Sequence, residues 1–312
     1  MIIRDRPRGP QLLYIVRGSV LPHIAWELVT CTGVALLVTL THGFVYQWKI
    51  TLTTVPFSLI GLALAIFLGF RNNAAYDRYW EARKLWADIT ARSRSFARQL
   101  QTLMHFEAPA RHADAGDPRT RMILRTIAHA HALRHQLRGS DAGDDMRRLL
   151  PAQEAAAFAA AQRGPDHLLR RIGDDLGLLL RARRVDAPVA ADMDASLSGI
   201  ATAAAGCERI KTTPVPFPYT LLLHRTAWLY CFLLPFGLVD TVGFMTPFVV
   251  AIVAYTFFGL DALGDEIEEP FGLKPNHLPL DALTRGIEID LLEALGATEL
   301  PRPLEPVDFR LT

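Results

Sequence analysis

"GLALAIFLGFRNNAAYDRYWEARKLW", Gly61 to Trp86, changes character at Phe70. Its first ten residues are wholly apolar, and charged, amide and aromatic side chains dominate the remaining sixteen. No proline interrupts it, so the spacing predicts one helix that begins in an apolar medium and ends in water. On a helix, residues four apart lie almost above one another. Gly61, Ala65 and Gly69 then form a row of small side chains, of the kind that lets membrane helices approach closely. One position on, Leu62, Ile66 and Phe70 form a parallel row of bulky ones. Two readings of this ridge stand side by side. It packs against neighbouring helices, or copies of it ring an axis and form a hydrophobic constriction that gates ions by dewetting. Asn72 and Asn73, which carry no charge, either ease ions through a mouth or satisfy backbone groups. Tyr79, Trp80 and Trp86 read as interfacial anchors and packing residues.

Working outward, four apolar segments appear in two pairs: Ile24–Leu40, Val55–Phe70, Tyr219–Val239 and Phe244–Leu260. A lone spanning helix wants about 20 apolar residues. Shorter ones that carry an occasional polar group, such as Glu27, His224 or Arg225, still span when bundled. The pairing as two hairpins favours membrane spans over core helices of a soluble protein. Basic residues set the orientation. Arg4, Arg6, Arg8 and Arg17 precede the first segment, and Arg71, Arg78, Arg83 and Lys84 come after the second. The connectors hold only Lys49, so both termini and the long middle are predicted to be cytoplasmic.

That middle reads as amphipathic helices. "PRTRMILRTIAHAHALRHQLR" places Ile123, Ile127, Ala130 and Leu137 on one stripe, with arginines elsewhere. "EAPARHADAGDP" and "RGSDAGDD" read as loops. "PAQEAAAFAAAQRG" is predicted to open at its proline and end at its glycine. "KTTPVPFPYT", with Pro214, Pro216 and Pro218, reads as an extended elbow without helix. No alternating strand pattern is present. The fold class is all-α, divided into residues 1–70 (N-terminus and first hairpin), 71–218 (helical middle), 219–262 (second hairpin) and 263–312 (C-terminal segment).

Composition narrows function. Half of the 312 residues are hydrophobic and the net charge is +1, with a mean hydropathy of +0.18. That balance suits a chain lying part in a bilayer and part in water, and gives no reason to bind nucleic acid. Cys31, Cys207 and Cys231 form no metal or redox pattern and read as small hydrophobes. His131 and His135 stand four apart, but no HExxH and no carboxylate at a matching turn accompanies them, so no metal site is expected. No nucleophile elbow, Walker loop or dinucleotide fingerprint occurs, so no enzyme and no cofactor are expected. No cleavable signal peptide is expected either.

"PFSLIGLALAIFLGFRNNAAYDRYWEARKLW", "GCERIKTTPVPFPYT", "RTAWLYCFLLPF" and "MTPFVVAIVAYTFFGLDALGDEIEEPFG" resemble the bacterial bestrophins. The resemblance runs from "MIIRDRP" to "LEALG" and is weakest over residues 105–190 and the last dozen. It implies a homopentamer in the bacterial inner membrane, with four transmembrane helices per subunit and one ion pathway on the five-fold axis. It also implies a neck lined by Leu62, Ile66 and Phe70, and a second, cytoplasmic aperture near Pro188 or Val189. At Pro188 a helix-start proline is an equally good reading. Animal bestrophins follow "PFG" with an acidic run that helps to hold calcium. Here Lys274, Pro275, Asn276 and His277 take that place, so no activation through a calcium clasp is expected. Upstream, Asp261, Asp265, Glu266, Glu268 and Glu269 read as a solvated acidic helix end, or as a cation-attracting cluster.

The expected function is a bestrophin-type channel for small monovalent ions. These are chloride by family, or cations, which are also associated with bacterial members. The neck is silent on sign, the acidic cluster leans towards cations, and the arginines near the mouth lean towards anions. The rival from another class is a non-conducting membrane scaffold that binds a cytoplasmic protein partner. A secondary transporter is disfavoured, since neither inverted repeats nor charged midplane residues are evident.

Overall fold

The computed structural model describes every residue except 5–8, 10–13, 17, 46, 47, 50, 51 and 115. Arg6, Arg8 and Arg17, used above for orientation, lie outside the described residues. Among the described residues there are ten α-helices: α1 Ala25–Leu40, α2 Thr54–Thr102, α3 Pro118–Arg138, α4 Gly143–Leu149, α5 Ala152–Ala160, α6 Gly164–Arg181, α7 Ala187–Thr212, α8 Phe217–Val242, α9 Thr246–Glu268 and α10 Leu280–Ala294. Two strands, β1 Phe44–Val45 and β2 Trp48–Lys49, pair antiparallel between α1 and α2. This small hairpin is an addition to the helical expectation; two residues per strand are too few to leave an alternating pattern.

The chain divides into two compact units. One comprises Asp5–Tyr79 and Pro214–Pro270, the other Met1–Arg4, Trp80–Thr213 and Phe271–Thr312. The division falls inside α2, whose 49 residues run unbroken from the apolar half of the opening stretch through the polar half.

In the first of these units α1, α8 and α9 pack on the apolar part of α2. Cys31, Ala35, Leu64, Leu68, Ala227, Cys231, Val250 and Ala254 sit at its centre. Gly243, at φ 61°, ends α8, and a short 3-10 turn, Gly243–Met245, starts the chain back along α9. Positive φ costs glycine nothing, which is why the reversal falls there. Pro235 lies inside α8. Two runs are long and apolar enough to cross a membrane, Thr54–Thr102 and Phe217–Glu268, the second comprising α8, the turn and α9. Only 22% of each apolar window is buried within the chain. A core helix of a soluble protein would be mostly covered, so these surfaces are built to meet lipid or other protein.

The other unit departs from the sequence reading in an instructive way. The α3 helix is buried nearly all round, not along one stripe, and takes Arg119, Arg125, His129 and His131 inside with it. Burial of such groups requires partners. Arg125 bonds Glu154 of α5 at 2.6 Å and Asp175 of α6 at 2.7 Å. Arg119 bonds its own N-cap, Asp117, and lies 4.0 Å over the ring of Phe106. His129 is fully enclosed with neither ring nitrogen bonded among the described residues, and burial pushes its pKa down to about 4.

Three boundaries also differ. The α5 helix opens after Pro151 as expected but stops at Ala160, and Gly164 opens α6 instead, with no room for a side chain beside the ring of Phe158. Within "RGSDAGDD" the loop is shorter than expected, because Gly143, Asp144 and Asp145 form the first turn of α4. The elbow at "KTTPVPFPYT" shrinks to Thr213–Pro216. The α7 helix reaches Thr212, and Pro218 fits the first turn of α8, where its missing N–H is no loss.

Candidate functional site

The ridge read from sequence lies on the outward face of α2. Leu62, Ile66 and Phe70 are 61%, 48% and 64% exposed, whereas Leu64, Leu68, Arg71 and Ala75 on the other face are at most 2% exposed. At 100° per residue these two sets stand on opposed sides of one helix. Of the small-residue row, Gly61 faces the Tyr230 ring of α8, where an added Cβ would lie 2.8 Å from its Oη. Ala65 and Gly69 stay exposed. Asn72 and Asn73 part company. Asn72 turns towards Gly264 of α9, and its Oδ1 has no bonding partner among the described residues; Asn73 stays exposed beside the ridge.

Directly behind the ridge is a charged support that the sequence reading did not assemble. Arg71, with its side chain wholly buried, donates Nη1 to Asp261 at 2.6 Å. Its Nη2 donates to Asp265, and to Glu268 at 3.4 Å. Asp261 also accepts from Nδ1 of His224 at 2.8 Å, while Nε2 of His224 accepts from the Trp228 indole at 3.1 Å. The indole can only donate, so His224 carries its own proton on Nδ1. Glu268 further accepts from the backbone N–H of Val215 in the elbow, and its carbonyl accepts from Arg78. Asp261, Asp265 and Glu268 are therefore not a solvated helix end, while Glu269, just past the helix, stays exposed. The three gather α2, α8 and α9 around one guanidinium. The signal was present, since His224, Arg71 and the carboxylates all border apolar segments, but their pairing spans 190 residues.

In the other unit Pro188 is exposed at the second position of α7 and Val189 is half-buried. The α7 helix has Asp186 as N-cap, so Pro188 occupies the helix-start position that suits proline. His277 is buried, and the backbone N–H of Lys274 donates to its Nδ1 at 3.3 Å, so the segment after "PFG" folds around an imidazole. Among the described residues no group of three or more His, Cys, Asp or Glu is arranged to hold a metal ion.

His131 and His135 do meet a carboxylate, one supplied from outside their helix. Nδ1 of His131 lies 3.2 Å from Asp145 of α4 and its Nε2 lies 3.1 Å from Glu288 of α10. His135 reaches the same Asp145 at 3.0 Å. Around them stand Arg134 and Arg138 of α3, Arg148 of α4, and Asp281 and Arg285 of α10. Burial opposes charge on His131, yet bonds to Asp145 and Glu288 outweigh it and hold the imidazolium above the usual histidine range. Glu288 is held down to about 2: burial opposes its charge, but His131 and Arg148 prevail.

These shifts give stability a definite pH dependence. A raised histidine pKa adds stability that is complete below the unfolded value, about 6.5, and is lost as pH rises through the folded value. The depressed Glu288 adds stability that is complete above about 4.3 and is lost as pH falls towards about 2. Unfolding of the purified protein in detergent, monitored from pH 5 to 9, is expected to show stability declining at the alkaline end. In His131→Gln that decline should flatten; an unchanged slope would mean that His131 is not the titrating group.

The sequence model described as "Bacterial/Fungal Bestrophin protein" matches residues 1–293. The chain belongs to the bestrophin family, in its bacterial and fungal branch. It is 42% identical to a voltage-dependent anion channel-forming protein of Mesorhizobium japonicum, over 99% of this chain and 96% of that one. It is 37% identical to the voltage-dependent anion channel-forming protein YneE of Escherichia coli, over 98% of each chain. A crystal structure of a bacterial bestrophin homolog from Klebsiella pneumoniae is similar in fold, with a TM-score of 0.82 and 38% identity, covering 88% of this chain and all of that one. In a member of this family, two long apolar runs left largely uncovered mark a membrane protein.

Proposed function

We propose that five copies of this chain form an ion channel, each copy crossing the bacterial inner membrane with α1, the apolar part of α2, α8 and α9. Both termini and the helical middle lie on the cytoplasmic side. Small monovalent ions pass a neck lined by Leu62, Ile66 and Phe70, then a mouth bordered by Asn72 and Asn73. They leave through a narrower cytoplasmic aperture at Pro188 or Val189. The neck offers no ligands, so ions cross it hydrated or partly hydrated when the ring is wide enough to wet. The proposed activity needs no calcium bound in the segment after "PFG", and it is transport, not catalysis.

The observation that carries this reading is the uncovered apolar ridge, held outward by a wholly buried Arg71 on the opposite face of the same helix. The names of the relatives, voltage-dependent anion channel-forming proteins, support an anion pathway. The decisive experiment is ion-replacement recording on purified protein in planar bilayers across asymmetric NaCl. A current whose reversal potential leaves zero establishes conduction and its sign. Silence at every salt concentration would leave the protein as a membrane scaffold for a cytoplasmic partner.

A further inference from the structure

Below the ridge the first charged residue in line on the outward face of α2 is Asp77, and Lys84, also exposed, follows seven residues further along the same line. Asp77 is seven residues beyond Phe70 and eleven beyond Ile66. At 100° per residue it falls about 20° to one side of the first and about 20° to the other side of the second, roughly 10 Å further along the helix than Phe70. It is exposed. Among the described residues it makes no hydrogen bond or ion pair.

Its neighbours are committed elsewhere. Arg71 is held by Asp261, Asp265 and Glu268, and Arg78 donates to the Glu268 carbonyl at 3.2 Å. Glu266 is buried. Arg71 and three of the acidic residues at the end of α9, which from sequence pull in opposite directions on ion sign, are thus committed to one another, while Glu269 stays exposed. Among the described residues the Asp77 carboxylate has no bonded counter-charge, and the in-line Lys84 stands roughly 10 Å further along the helix.

We infer that Asp77 is a specificity-determining residue: its ring of five carboxylates below the neck pulls the pathway towards cations, against the anion pathway that the names of the relatives point to. The inference rests on the channel reading above. Fixed charge at a narrow mouth concentrates counter-ions and depletes co-ions. The effect reaches about 30 Å at 0.01 M salt and about 3 Å at 1 M, so it carries a salt signature that a change of pore width lacks.

The test records reversal potentials for the parent, Asp77→Asn and Asp77→Glu in asymmetric KCl, at a mean of about 10 mM and again near 1 M. At low salt the ratio of cation to chloride permeability in Asp77→Asn should fall at least about threefold. Asp77→Glu should keep the parent ratio, and the difference should vanish near 1 M. Asp77 is exposed and makes no bond among the described residues, so gel filtration of the variants should match the parent. A conducting Asp77→Asn with the parent's reversal potential at low salt overturns the inference and leaves the channel standing. Silence in the parent overturns the channel reading, and this inference with it.

Discussion

Replacing Arg71 by Met is expected to destabilise the helical bundle by about 3–5 kcal/mol, the range for removing one partner of a buried charge pair. Its guanidinium is wholly buried, and Asp261 and Glu268 are 6% and 13% exposed at the side chain. Without it, Asp261, Asp265 and Glu268 face one another across a few ångströms with no positive charge between them. Such carboxylates either take up protons or push α2 and α9 apart. Thermal and denaturant unfolding in detergent measures the loss, as a lower midpoint and faster unfolding. Adding Asp261→Asn to Arg71→Met should recover part of it, because one uncompensated charge is gone, and the double-mutant cycle reports the coupling. A shift below about 1 kcal/mol would mean that water reaches the cluster and that Arg71 does not hold α2 to α9. The same support keeps the ridge turned outward, so Arg71→Met should also lower the fraction of protein that conducts.

The second large effect concerns the neck. Ile66 is the middle residue of the ridge, and truncating it to Ala removes bulk from all five walls of the proposed ring at one level. A hydrophobic constriction conducts only while it stays wet, and wetting rises steeply with radius. Ile66→Ala is therefore expected to raise single-channel conductance several-fold, with Leu62→Ala and Phe70→Ala acting in the same direction. The side chain is half exposed in the single chain, so stability should change little by comparison with the Arg71 substitution. Liposome flux and single-channel recording check it. If Ile66→Ala passed the same current as the parent, the neck would have to be placed on other residues.

Support and proposed pathway lie on opposite faces of α2. Arg71 and Ile66 are five positions apart on one helix and face opposite sides of it. A substitution at Arg71 should move stability and the fraction that conducts, and one at Ile66 the single-channel conductance. If both moved only stability, α2 would be a packing helix and nothing more.

Much of the helical content was legible in one dimension because it is governed by near neighbours. The apolar segments, the unbroken passage of α2 from apolar to polar, and the alignment of Leu62, Ile66 and Phe70 all arise from a 3.6-residue repeat and the absence of proline. Helix ends were less legible. Gly164 opens α6 where it was expected to close α5, because a glycine with Pro165 next to it suits a first turn as well as a last.

The role of the buried charges was beyond reach for a different reason. Arg119 and Arg125 read as the polar side of α3, yet they lie inside, since Asp117, Glu154 and Asp175 arrive to meet them. His131 lacked a carboxylate at a matching turn of its own helix, and received Asp145 from α4 and Glu288 from α10. The α9 carboxylates read as a solvated helix end or a cation-attracting cluster, and three of them, Asp261, Asp265 and Glu268, meet Arg71 from α2. Local spacing sets which side chains share a face, and so the sequence alone sufficed for the ridge. Which charges meet depends on contacts between residues far apart in the chain, and only the folded protein shows that Arg71 is taken up by α9 while Asp77 makes no bond among the described residues.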